Sequence, residues 1–198
     1  MVSSMDAEKR ECILTEAAKC FSRLGFRKAS VDEIARGAGV AKGTVYLAAE
    51  SKHDLFYQVL HREIRAWVAA TARLIDPRQK ADVLLTRASE GGFVYLEKHT
   101  LARDLLFGET IAEMPSDWAQ RFTQLRDLGK GNVVEILQLG VRQGVFRKET
   151  DVEACASVLM DLQAANYLLL TRGVYSKEQL PRLWKAGVDV VLNGLRAR

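Results

Sequence analysis

Hydrophobic residues recur at intervals of three and four along most of this chain, while strand-like alternation of β-branched residues is almost absent. That spacing places apolar side chains on one face of an α-helix and predicts an all-α protein. Only three prolines interrupt the 198 residues, which leaves room for long helices. We expect helices near residues 4–24, 51–75, 78–98, 100–107, 116–144, 151–172 and 177–196.

The segment from Ser30 to Lys52 differs because it predicts two short helices around a glycine-containing turn. Ser30 and Glu33 have the spacing of a capping box, so a helix is expected to begin at Val31. Gly39 allows a tight turn after it. The next helix opens with small and polar residues that permit close approach to a surface, namely Ala41, Lys42, Gly43, Thr44 and then Tyr46. This layout is typical of a helix-turn-helix whose second helix enters the major groove of DNA.

An ordinary helical hairpin within a core is the alternative interpretation of this segment. The second helix, however, is too polar and too small to fill a core. A second capping pair, Ser51 with Asp54, also starts a new helix directly after it. Lys52 lies in the first turn of that helix, where a positive charge is unfavourable, so we expect it to bind a DNA phosphate.

These segments resemble the TetR family of one-component bacterial repressors. The resemblance covers the first third of the chain, through ILTEAAKCFSRLGF at 13–26, SVDEIARGAGVAKGTVY at 30–46 and SKHDLF at 51–56. It implies an N-terminal three-helix helix-turn-helix DNA-binding domain over residues 1–52 and a C-terminal helical ligand-binding and dimerisation domain over 53–198. A connector helix from about 51 to 75 joins them. The residues that match the family's DNA contacts are Ser30, Lys42, Gly43, Thr44, Tyr46 and Lys52.

The chain departs from the family pattern shortly after Tyr46. The family usually has His or Tyr and then Phe where this chain has Ala48 and Ala49. A phosphate contact is therefore missing at Ala48, and a core aromatic is replaced by a smaller residue at Ala49. The resemblance implies a modest operator affinity unless nearby cations such as Arg27 and Lys28 compensate.

Composition and charge are compatible with a DNA-binding protein. The net charge of +4 suits a polyanionic partner, although it would suit other partners too. Cys12, Cys20 and Cys155 form no C-x-x-C pair and are expected to be buried thiols in a reducing cytoplasm. No apolar run approaches the roughly 18 residues of a membrane span, and no signal peptide opens the chain. We therefore expect a cytoplasmic protein that does not enter a membrane.

Candidate catalytic and metal-binding groups are scarce. His53 and His61 lie eight residues apart in the sequence, too far along one helix for simple chelation. Glu109 and Glu113 share a predicted helix face, but no nucleophile or ligand set accompanies them. No phosphate-binding glycine loop is present either. We expect no catalytic residues, no cofactor and no metal, and hence no enzyme.

The central part of the chain carries the hypothesis of an effector pocket. Glycines at 91, 92, 129 and 131 leave side-chain volume missing where helices are expected to pack or bend. Ligand sites in helical proteins commonly lie between helices. The residues expected to line the pocket are Phe93, Leu96, Phe107, Trp118, Phe122 and Leu125. Asp104, Glu109 or Glu113 would favour a cationic or hydrogen-bond-donating ligand if one of them faces inward.

The last two helices carry the hypothesis of a two-fold dimer. Apolar residues on the final helix step by four, four, three and four and form one continuous stripe. The residues expected at the dimer interface are Leu162, Leu169, Leu180, Trp184, Val188, Val191 and Leu195. The alternative is that both helices pack only within the subunit.

These observations lead to one functional prediction and one alternative. The prediction is a homodimeric repressor that binds a palindromic operator in double-stranded DNA and is released by an unknown small-molecule effector. The term repressor comes from the family resemblance. The alternative is a constitutive, architectural DNA-binding protein without an effector.

Overall fold

The computed structural model describes residues 6–107 and 118–196, and in them the fold is all-α, as predicted. The helices are α1 (Ala7–Lys28), α2 (Val31–Gly37), α3 (Lys42–Ala48), α4 (Lys52–Ala72), α5 (Ala81–Lys98), α6 (Thr100–Phe107), α7 (Ala119–Arg142), α8 (Val152–Thr171) and α9 (Leu180–Leu195). Among the described residues, no helix is long and apolar enough to cross a membrane.

The helices belong to two compact units. The first consists of the described parts of residues 1–64 and 101–122, and the second of residues 65–100 and 123–196. The predicted domain border at residue 52 falls where α4 begins. In the structure the first unit continues into α4 as far as Ile64 and also contains α6.

Aromatic residues form the core of the first unit. The ring of Phe56, on α4, lies 4.8 Å from that of Phe21 and 5.3 Å from that of Phe26, both on α1. Gly25 has φ 74°, a conformation that favours glycine, and the residue after it, Phe26, is buried. Such ring pairs add about 0.5–1.5 kcal/mol beyond the burial of their area. This core fixes α4 against α1.

The cysteines only partly match their prediction. Cys20 is buried, and that burial raises the pKa of its thiol. Cys155 is half-buried, whereas Cys12 is exposed, so the expectation of a buried thiol at Cys12 was wrong. The Cys12 thiol lies at the edge of the contact with α2, where it donates to the Ala38 carbonyl at 3.7 Å while remaining exposed.

The second unit packs α9 against α8 and α5. The ring of Trp184, on α9, lies 5.5 Å from both Tyr167 and Phe93, and the Trp184 indole N–H donates to the carbonyl of Ser89 at 2.9 Å. A Cβ built on Gly92 would lie 3.2 Å from the Trp67 indole nitrogen, which confirms the close approach predicted there.

Candidate functional site

The helix-turn-helix is formed by α2, the turn after it and α3. The Ser30 hydroxyl accepts a hydrogen bond from the Glu33 backbone N–H at 3.2 Å and caps α2, as predicted. The Glu33 carboxylate pairs with Arg23 at 2.9 Å. Gly39 has φ 65°, so the turn needs a residue that tolerates the left-handed conformation.

The first turns of α3 present the predicted DNA-contacting residues at the surface. Val45 and Ala48, three residues apart, are buried and hold α3 in the unit. Lys42 and Gly43 are exposed, Tyr46 is 47% exposed and Thr44 is half-buried. Among the described residues, none comes within 4 Å of a Cβ built on Gly43. The backbone at Gly43 is therefore open to a close partner.

Lys42 already has an acidic partner in the unbound protein. Its ammonium lies 2.9 Å from the Asp32 carboxylate, and that hydrogen bond raises the pKa of Lys42. Both side chains are more than half exposed, so the pair adds little to stability. A DNA phosphate would have to compete with Asp32 for Lys42.

Ser30 keeps a group for an external partner. A serine hydroxyl has one hydrogen to donate in addition to the lone pair that caps α2. Ser30 is exposed at the N-terminus of α2, so its hydroxyl group is accessible to a partner. The geometry is compatible with the predicted phosphate contact.

Lys52, predicted to bind a phosphate, has hydrogen-bond partners within the protein. Its ammonium donates to the carbonyls of Phe26 at 2.9 Å and Ala29 at 3.0 Å, with a longer bond to Arg27 at 3.3 Å. A lysine ammonium has three hydrogens to donate, and these acceptors use all of them. In the unbound protein Lys52 satisfies the carbonyls that the end of α1 leaves free, so a DNA phosphate would have to displace one of them, and the phosphate contact stays a prediction.

The two alanines that depart from the family pattern lie at the end of α3. Ala48 and Ala49 are both buried, and Gln58 donates to the Ala48 carbonyl at 3.1 Å. Exposed cations remain at the end of α1, where Arg27 and Lys28 face solvent. They are available to bind phosphates.

The six residues predicted to line an effector pocket are divided between the two units. Phe107, Trp118 and Phe122 belong to the first unit, whereas Phe93, Leu96 and Leu125 belong to the second. Trp118 lies 5.9 Å from Phe56 and is part of the first unit's core. Helical spacing marks apolar side chains without showing which core they enter, so the six residues as one lining stay a prediction. Glu109 and Glu113 lie outside the described residues, and Asp104 pairs with Arg103.

A cavity does occur in the second unit, with another lining. It holds about 20 Å³, and two of the glycines singled out in the sequence, Gly92 and Gly129, lie in its wall. The remaining lining residues are Trp67, Thr71, Ala88, Ser89, Asn132, Val133, Met160, Gln163 and Trp184. The space directly beside Gly92 is occupied by the Trp67 indole, so this glycine borders the cavity without creating it.

The polar residues in this wall are mostly bonded to the protein. The Asn132 amide donates to the Val68 carbonyl at 2.8 Å and to the Thr71 hydroxyl at 2.7 Å. The indole of Trp67 donates to the Gly92 carbonyl at 3.3 Å. Sequence reasoning missed Gln163 because one glutamine on a helix carries no distinguishing pattern.

The predicted dimer stripe divides between two faces. Leu180, Trp184, Val188 and Leu195 are each less than 5% exposed and belong to the core of the second unit, so their assignment to the interface is corrected. Leu162 is 39% exposed, and Leu169 and Val191 are half-buried. The strongly exposed apolar residues nearby are Val158 on α8 and Val190 on α9.

Comparisons with known proteins agree with this geometry. A family model described as bacterial regulatory proteins of the tetR family matches residues 13–59, which contain the helix-turn-helix. The transcriptional repressor KstR2 of Mycolicibacterium smegmatis is 29% identical over 161 residues, covering 80% of this chain and 77% of that protein.

Solved structures share the fold over nearly the whole chain. A TetR-like transcriptional regulator from Rhodococcus has a TM-score of 0.68 at 25% identity, covering 96% of this chain and 98% of that one. FadR from Bacillus subtilis, in complex with stearoyl-CoA, has a TM-score of 0.80 at 17% identity, covering 93% and 98%. The helix-turn-helix region of this chain thus matches the tetR family of bacterial regulatory proteins, and the chain as a whole shares its helical fold with a TetR-like regulator.

Proposed function

We propose that this protein is a transcriptional repressor that binds a palindromic operator as a homodimer and is released by a small molecule. The observation that carries the proposal is the surface of α3, where Lys42, Gly43 and Tyr46 are exposed. A helix-turn-helix places the N-terminal residues of its second helix against base edges in the major groove. The relative KstR2 is named a repressor, which supports the direction of control.

The proposed dimer forms through the outer face of α8 and α9. Val158 and Leu162 are exposed on α8, and on α9 small or apolar residues follow helical spacing at Gly187, Val190, Val191 and Gly194. The Leu162 side chain lies against Gly187, where an added Cβ would approach it to 2.6 Å. A single helix-turn-helix reads only a short half-site, so a two-fold dimer doubles the contacts and requires a palindromic operator.

The proposed effector site is the cavity of the second unit. A ligand changes the DNA affinity only by the difference between its affinities for the bound and released states. The architectural alternative predicts no such change in DNA affinity.

The two functions are separated by adding candidate molecules to a preformed complex of the protein with DNA from upstream of its own gene. Stearoyl-CoA is one probe to include, because the FadR structure contains it. No catalytic function is proposed, since the relatives are regulators.

The DNA-binding surface is tested by adding bulk to α3. We expect Gly43→Leu to fold normally, because a Cβ there meets no described atom within 4 Å, and to lower operator affinity at least about tenfold by blocking close approach. Gel-shift titration gives the affinity and circular dichroism checks the fold. Gly131→Leu is the matched control, because Gly131 is also a helical glycine with an open surface. Equal operator affinity for the wild type and Gly43→Leu would place the DNA-binding surface elsewhere.

A further inference from the structure

The cavity in the second unit has an uncharged wall. Its described lining contains aromatic, aliphatic, hydroxyl and carboxamide groups, and no Asp, Glu, Lys, Arg or His. An ion placed there would lose its hydration without gaining a counter-charge. The wall therefore selects against carboxylate, phosphate and ammonium groups at this position.

Gln163, on α8, is the larger of two polar side chains in this wall for which the described residues supply no hydrogen-bond partner; the Ser89 hydroxyl is the other. Its side chain is only 5% exposed. Within residues 6–107 and 118–196, neither atom of its carboxamide makes a hydrogen bond, in contrast to the bonded Asn132 amide. Buried polar side chains are nearly always hydrogen-bonded, and a carboxamide both donates and accepts. The unbonded Gln163 therefore points to a group from outside the protein.

The size of the cavity limits what that group is. A volume of about 20 Å³ admits one water molecule or one oxygen-bearing group of similar size. The space within the lining is about 340 Å³ when the part open to solvent is included. A larger molecule can thus place one polar group in the cavity and extend its remaining part outward. The indoles of Trp67 and Trp184 offer that part an apolar wall.

We propose that Gln163 binds the effector through an uncharged carbonyl or hydroxyl oxygen, with the apolar part of the effector against the two indoles. This inference rests on the proposed function, since it names the chemical group that the effector presents to the same site. The carboxamide N–H donates to a carbonyl oxygen, and its oxygen accepts from a hydroxyl group.

The experiment compares four probes that share a chain length and differ in their polar group, namely decanone, decanol, decanoate and decylamine. Binding is measured by tryptophan fluorescence and calorimetry at neutral pH, where the last two are charged. We expect decanone and decanol to bind at least about tenfold more tightly than the charged probes. Gln163→Leu should weaken decanone binding about tenfold, whereas Gln138→Leu, at an exposed position on α7, should not change it.

Thermal unfolding separates a binding role from a structural one. Gln163→Leu replaces a buried, unbonded carboxamide with an apolar group of similar size. The midpoint temperature of thermal unfolding, measured without a probe, should therefore be equal to or higher than that of the wild type. A lower midpoint would show that Gln163 has a structural partner and would overturn the proposal.

Three further results would overturn it as well. The first is unchanged decanone binding in Gln163→Leu, and the second is binding of decanoate or decylamine as tight as that of decanone. The third is that no probe binds, which would leave the cavity to a water molecule. Each of these three results is compatible with the proposed repressor function if the wild-type protein still binds its operator and is released from it by stearoyl-CoA or another molecule. Loss of the proposed function would appear instead as failure of the wild type to bind operator DNA in the gel shift.

Discussion

Lys52 joins the beginning of α4 to the end of α1. Its ammonium bonds the carbonyls of Phe26, Arg27 and Ala29 and lies 4.6 Å from the centre of the Phe26 ring. Without this lysine, those carbonyls would lose a charged donor next to the aromatic core. The residue that suggested a phosphate contact in the sequence thus holds the helix-turn-helix in place.

This role predicts that Lys52→Met destabilises the protein. We expect a loss of about 1–3 kcal/mol in the free energy of unfolding, because partly buried carbonyls lose their donor. Urea denaturation measures this loss. The salt dependence of DNA binding should stay the same, since its slope reports only neutralised phosphates.

Lys28→Met is the matched control for that substitution. Lys28 is exposed at the end of α1, so its removal should leave stability nearly unchanged. If Lys28 binds a phosphate, the variant should flatten the salt dependence. The opposite pattern, with stability kept and the slope reduced in Lys52→Met, would restore the phosphate contact at Lys52.

Helix α7 carries glycines in two different environments. Among the described residues, a Cβ on Gly131 meets nothing within 4 Å. A Cβ on Gly140 would collide with the Phe146 ring and lie 2.9 Å from the Cβ of Ala81. The first position is an open helix surface, whereas the second is a close approach between elements of the second unit.

These environments predict opposite effects of alanine on one helix. Gly131→Ala should raise the free energy of unfolding by about 0.5–1 kcal/mol, because alanine favours the helix. Gly140→Ala should lower it by about 1–3 kcal/mol, because the packed Phe146 ring has to move. Thermal or urea denaturation measures both. If both substitutions stabilised the protein, the Phe146 ring would have to move away from the added Cβ at position 140 at little cost in free energy.

Helix α9 has two apolar faces, and only packing distinguishes them. Leu180, Trp184, Val188, Leu192 and Leu195 form the inner face and are buried. Val190, at 71% exposed, lies on the outer face with the half-buried Val191. Since both faces follow helical spacing, the sequence pattern supports either one as an interface.

The difference between the inner and outer faces of α9 leads to a prediction about dimer formation. Val190→Asp should produce a folded monomer that loses operator binding, because a charge enters the proposed interface without disturbing the core. Val188→Asp, at a 3% exposed position, should instead unfold the second unit. Light scattering gives the oligomeric state, circular dichroism the fold and gel shift the DNA affinity.

Val174→Asp is the control for the assembly prediction. Val174 is 60% exposed and follows the end of α8, outside the two helices that form the proposed face. This variant should remain dimeric and bind operator. A dimeric Val190→Asp protein, or a monomeric wild type at micromolar concentration, would contradict the proposed assembly.

The sequence by itself determined the features that depend on near neighbours. Helical spacing, the serine cap at Ser30 and the turn glycine Gly39 predicted the helices and the helix-turn-helix, because such interactions act within a few residues. The pair Gly91-Gly92 likewise predicted a close approach, which the Trp67 indole makes to Gly92.

Only the tertiary structure decided which distant groups meet. It paired Lys52 with the carbonyls of α1, placed Trp118 in another core from Leu125, and turned Val188 inward while Val190 faced outward. It also left the buried Gln163 unbonded beside the cavity. These outcomes depend on packing between elements far apart in the chain, where several partners satisfy the same local pattern and the shape of the whole unit selects one.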